Sequence, residues 1–175
     1  MGRLADQLDR MRVSADIARG AVVARVDGRT RVSLSFLPGV YQRADESELA
    51  RELTNLAKLL WAARTREYYA IVSDVTGETR TQEAHAVNQR DVDFFAARDE
   101  LVAEGRSFDD RIQITVQGMR SFRVRIAPGT LRTLTEEEFA ERAGEAGSEL
   151  VRDQLRKVRE LKLMIYEDRP ASDFE

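Results

Sequence analysis

A pattern that spans residues 1–85 returns without a gap over residues 91–175, at an offset of 90, and this repetition restricts the possible folds more than any other feature. Val22-Val23-Ala24-Arg25-Val26-Asp27-Gly28 matches Ile112-Gln113-Ile114-Thr115-Val116-Gln117-Gly118. Val32 to Gly39 then matches Phe122 to Gly129, and each of these segments ends on Pro-Gly. Alternation with period two sets Val22, Ala24 and Val26 on one sheet face, shared by Val32, Leu34 and Phe36 on the next strand. Gly28 and Gly118 stand where a tight hairpin needs positive φ. Pro38 and Pro128 end the second strand of each hairpin, because proline cannot donate to the ladder. A capping-box signature follows in both copies, Asp45-Glu46-Ser47-Glu48 and Thr135-Glu136-Glu137-Glu138.

The spacing of apolar residues predicts the remaining elements. In copy one, Leu4, Leu8 and Met11 mark a short amphipathic helix. A first strand is expected from Val13 to Ile17, a hairpin over about 21–37 and a long helix over about 46–72. Leu49, Leu53, Leu56, Leu60 and Trp61 would lie on that helix's buried side, with Tyr68 and Tyr69 continuing the stripe. Residues 73–79 read as the break between copies. In copy two a longer helix is expected over about 81–104, carrying Val87, Phe94, Phe95, Leu101 and Val102, and stopped by Gly105. A hairpin over about 111–127 and a helix over about 135–167 complete it. The buried side of that last helix would be Phe139, Leu150, Val151, Leu155, Val158, Leu161, Met164 and Ile165, and Gly144 and Gly147 are expected to bend or split it. The fold class is therefore α+β: two copies of helix, antiparallel β-meander and long helix. One copy alone can bury only a small core, so the two are expected to pack as an intramolecular pseudo-dimer. The units run over residues 1–75 and 81–168, with 169–175 a loose tail.

Composition excludes several classes of function. There is no cysteine, which removes disulfides, thiolate metal sites and cysteine nucleophiles and favours a cytoplasmic location. No apolar run approaches membrane-spanning length, and the first residues lack the apolar core of a signal peptide. The net charge is −3, divided as +2 over residues 1–90 and −5 over 91–175, so neither half has the basic excess of a dedicated DNA-binding domain. No P-loop, dinucleotide fingerprint or nucleophile elbow is present. His85, the single histidine, has no partner in the sequence for a general-base or metal role. Asp109-Asp110 could suggest a metal. Glu136-Glu137-Glu138 is explained by a helix N-terminus, where negative charge favours the macrodipole. No enzymatic activity, cofactor or metal is expected.

The segments Gly20 to Gly28, Val32 to Gly39 and Glu46 to Leu60, with Ile112 to Gly118, Phe122 to Gly129 and Glu136 to Leu150, resemble the YbaB/EbfC family of small bacterial nucleoid-associated proteins. The resemblance covers nearly the whole of each copy. It implies a homodimer whose helices project from a central sheet and contact DNA without catalysis. Two fused copies would form that dimer within one chain, with location at the nucleoid and further homodimerisation open. Some relatives of the family serve as accessory proteins of secretion systems, so a protein-interaction module is the alternative.

Two basic clusters are candidates for contact with duplex DNA. Arg152, Arg156 and Arg159 recur at helical spacing beside Lys157, and such a face could track phosphates. The same residues also fit a solvated amphipathic face carrying i,i+4 pairs with Glu149 and Asp153. Arg123 and Arg125, with Arg120, Arg25 and Arg31, fall out of register with the apolar residues and would line the outer sheet faces. There they could bind an anionic partner or keep the sheet soluble. No helix displays the pairings that read base edges, so weak sequence preference is expected.

Overall fold

The computed structural model describes residues 2–80 and 85–167. The fold is α+β. A short helix Arg3–Asp9 (α1) leads into strands Arg12–Ile17 (β1), Val22–Asp27 (β2) and Arg31–Phe36 (β3), which form an antiparallel sheet in the order β1-β2-β3. A 3-10 turn at Tyr41–Arg43 precedes the long helix Glu46–Thr76 (α2). The second half runs through helix Gln89–Glu100 (α3) into strands Val102–Arg106 (β4), Ile112–Gln117 (β5) and Ser121–Ile126 (β6), a second sheet in the order β4-β5-β6. A four-residue helix Thr130–Thr133 (α4) and the long helix Glu136–Glu167 (α5) close the chain.

Local geometry recurs at the offset of 90. The hairpin turns close on the pairs Asp27–Arg31 and Gln117–Ser121. Gly28 and Gly118 lie at φ 65° and 59°, in the left-handed region open to glycine. Their N–H groups donate to Met11 O at 2.7 Å and to Leu101 O at 2.9 Å. The Asp45 carboxylate accepts from Glu48 N at 3.0 Å. Thr135 Oγ1 accepts from Glu138 N at 3.2 Å, while the Glu138 carboxylate accepts from Thr135 N at 3.1 Å. Both long helices thus start on a cap that satisfies an orphan donor.

One hydrophobic core joins the halves. Leu49, Leu53, Leu56 and Leu60 of α2 cluster with Phe139, Ala143, Ala146 and Leu150 of α5, and with the inward residues of β2 and β5. Helix α2 covers β1 and β2 and crosses to β6, while α5 covers β4 and β5 and crosses to β3. Polar contacts follow the same crossing. Glu46 accepts from Gly129 N at 3.0 Å and Leu131 N at 2.9 Å. The Tyr41 hydroxyl donates to Leu134 O at 2.7 Å, and the Tyr41, Phe36 and Phe139 rings pack with centroids 5.4–5.9 Å apart.

The structure corrects several sequence expectations. The helix expected over 81–104 is α3, Gln89–Glu100, started by Asn88, whose side chain accepts from Asp91 N. Residues 81–84 and the expected tail at 169–175 lie outside the described residues. Val87 precedes α3 and is exposed, and Val102 begins a strand. Gly105 stops no helix: it sits inside β4, where a Cβ would fall 2.0 Å from Ala146 O of α5. Helix α2 does not break at 73 but continues to Thr76 and ends on Gly77, at φ 72°. Gly144 and Gly147 do not split α5, which is continuous. A Cβ at Gly144 would fall 2.9 Å from Val32 O and one at Gly147 2.8 Å from Val32 Cγ1, so both glycines admit β3 to the helix surface. On α5, Leu155 and Met164 are exposed, and Gln154 is buried instead. Tyr68 is likewise exposed, and the buried stripe of α2 continues through Arg64.

Candidate nucleic-acid interface

The basic stripe of α5 emerges from a helix face that grips the edge of β4. The Asp153 side chain, only 11% exposed, accepts from Glu104 N at 2.9 Å and from Lys157 Nζ at 2.9 Å. Arg156 also bonds to Asp153. Lys157 Nζ reaches on to Val102 O at 2.8 Å, and Glu149 accepts from Arg106 N at 3.4 Å. Burial alone would raise the Asp153 carboxyl, but the Glu104 N–H, Lys157 and Arg156 outweigh it and hold the group below its ordinary value. The cleft here, of about 460 Å³, mixes Arg106, Arg152, Arg156 and Lys157 with Glu104, Glu149 and Asp153. Arg152 and Arg159 stand exposed. Arg156 and Lys157 are ion-paired, and Lys157 serves as a donor to strand backbone.

Arg123 and Arg125 have different surroundings. Both are exposed on the outer side of β6, and the crossing of α2 sets Arg51 and Asn55 beside them. The cleft between, of about 570 Å³, is lined by Arg51, Asn55, Arg123 and Arg125 and contains no carboxylate. None of the three arginines has an ion pair among the described residues. The outer face of the second sheet continues the cleft, since Arg125 pairs across to Gln113 and Gln113 to Arg106, while Arg123 pairs to Thr115. That face also carries Glu104, opposite Thr115 and bonded to Arg106 and Gln113, so the free guanidinium forks it offers a polyanion are those on its β6 side.

Arg51 and Asn55 were not among the residues singled out from sequence. Their spacing on α2 is i,i+4, and only the crossing of that helix to the other sheet brings them to β6. Among the remaining candidates, Arg25, Arg31 and Arg120 are exposed. Arg31 lies at the turn end of β3, opposite Asp27, and Arg120 reaches Asp99 at 3.8 Å. His85 is exposed in the stretch before α3. Asp109 is occupied structurally, taking Ser107 Oγ at 2.8 Å and Arg142 Nε at 3.1 Å. Among the described residues no three His, Cys, Asp or Glu side chains gather as a metal site would require, and no helix is long and apolar enough to cross a membrane. Comparison with protein-family models, with curated proteins and with solved structures returns no match to this chain.

Proposed function

We propose that this chain is a non-enzymatic, nucleoid-type DNA-associated protein, built like a YbaB/EbfC dimer whose two protomers, residues 1–75 and 81–168, are fused into an intramolecular pseudo-dimer. The observation that carries the reading is the cleft of Arg51, Arg123 and Arg125. Three unpaired arginines line one concave surface on a chain whose net charge is −3. Backbone phosphates are the partner that such a surface suits, and contact through phosphates alone gives weak sequence preference. Arg152 and Arg159 extend the contact along α5, and Arg156 and Lys157 contribute less because Asp153 already holds them. The corresponding location is the cytoplasmic nucleoid.

A gel-shift with random duplex at low salt tests this directly. The unmodified chain is expected to retard the duplex, and the triple change Arg51→Ala, Arg123→Ala, Arg125→Ala to abolish the shift while leaving the circular dichroism spectrum intact. A chain that gives no shift at low salt favours the second reading, a protein-interaction or secretion-accessory module. That reading draws support from the mixed charge of the α5 cleft and the −5 balance of residues 91–175.

A further inference from the structure

The core of the molecule holds a cation that nothing among the described residues neutralises. Arg64 follows Leu60 by one turn on the buried stripe of α2, and its residue is only 8% exposed. The equivalent position at the offset of 90 is the neutral Gln154. One Arg64 terminal nitrogen donates to Arg29 O at 3.1 Å, and the guanidinium carbon sits 4.9 Å from the centre of the Trp61 ring. The Nε–H is buried and has no acceptor among the described residues. No carboxylate lies within ion-pair distance of Arg64 among the described residues. Burial pulls the guanidinium below its ordinary value, yet an arginine in a protein stays charged.

Arg64 also lines a cavity of about 80 Å³ between the helices and the two sheets. The rest of the wall is almost wholly apolar, including Leu60, Trp61, Ile114, Val124 and Leu150. A dry apolar cavity is ordinary, as is a buried charge that has a partner. An unneutralised guanidinium at the wall of an apolar cavity combines the two parts of a site for an amphipathic anion. We propose that this cavity binds a small monocarboxylate of the size of acetate, with its carboxylate on the Arg64 Nε–H and its methyl group among the leucines and valines. A cavity of roughly 150 Å³ takes up benzene, six non-hydrogen atoms, so one of about 80 Å³ holds roughly three or four such atoms in all, the size of acetate. A charge-assisted bond would satisfy the orphaned donor and offset the desolvation of the guanidinium.

Trp61 is the only tryptophan in the chain and lines the cavity beside Arg64, so its fluorescence reports occupancy. Titrating the purified full-length chain with acetate is expected to change that emission saturably, with matching heat at one site in calorimetry. Acetamide, the same shape without the charge, should bind at least about tenfold more weakly, the loss expected for one charged hydrogen bond. Arg64→Met should remove the preference for the acid. Ala57→Leu, which fills the cavity while leaving residue 64 unchanged, should remove binding of both compounds and keeps the question decidable if Arg64→Met does not fold. Equal binding of acetate and acetamide, no saturable response to acetate, or unchanged binding by Ala57→Leu would each overturn the proposal. No DNA enters the assay, so its outcome is independent of the nucleoid reading.

Discussion

At the scale of single residues, steric room and hydrogen-bond supply decide which positions tolerate change. Gly105 lies against α5 so closely that a Cβ would meet Ala146 O at 2.0 Å and Leu150 N at 2.4 Å. Both are backbone atoms and cannot rotate away. Gly105→Ala is expected to cost about 3 kcal/mol in urea unfolding, and a loss below about 0.5 kcal/mol would show that β4 and α5 do not pack as described. The two hairpin glycines should differ: a Cβ at Gly118 falls 2.5 Å from Asp99 O, and one at Gly28 3.3 Å from Asp9 O. Asp153 carries a pH signature. Its carboxyl titrates below its usual 3.8 when folded, so its contribution is complete above that pH and disappears as the pH falls through the lowered folded value. Asp153→Asn should cost about 1–3 kcal/mol near neutrality and flatten the loss of stability below about pH 4. A variant with an unaltered acid limb would contradict the clamp on β4. The sequence offered Asp153 only as a helix-surface partner of Arg156. Its bond to Glu104 N depends on a strand 49 residues away, and that register is not written in the helix.

At the scale of elements, the hairpins and the starts of the two long helices were legible, because alternation and caps are local signals. Strand β4 was not. Its sequence Val102-Ala103-Glu104-Gly105-Arg106 lacks β-branched residues after the first and continues a helical stretch. The Asn88 cap was the available signal that α3 starts late. The glycines of α5 read locally as weaknesses, whereas they make room for Val32. The crossing helices also supply the outer edges of β3 and β6. Ser148 Oγ accepts from Val32 N at 2.9 Å while donating to Gly144 O at 2.7 Å. Thr54 Oγ1 accepts from Val124 N at 3.1 Å while donating to Ala50 O at 2.7 Å. Each hydroxyl satisfies an edge N–H that could otherwise template pairing with another chain. Ser148→Ala and Thr54→Val are each expected to cost about 1–2 kcal/mol and to speed amide exchange at Val32 and Val124 respectively. Unchanged protection at those amides would mean that solvent, and not the helix, satisfies them.

At the scale of the whole molecule, the core belongs to neither half alone, since α5 packs on β3 and α2 on β6. Separate polypeptides covering residues 1–80 and 85–175 are therefore expected to be poorly structured apart and to regain helical circular dichroism when mixed. A half that unfolds cooperatively by itself would contradict the fused-dimer reading. The cleft belongs to this scale too, and for that reason only part of it could be read from sequence: β6 supplies Arg123 and Arg125, while α2 of the other half supplies Arg51. On the proposed reading, those three arginines contact phosphates. The most direct test is the slope of log affinity for random duplex against log salt, in the unmodified chain and in the Arg51→Ala, Arg123→Ala, Arg125→Ala variant. Each lost phosphate contact lowers the steepness by roughly 0.9, so the variant should be flatter by about two to three units. Equal slopes in the two proteins would take the cleft out of the DNA contact.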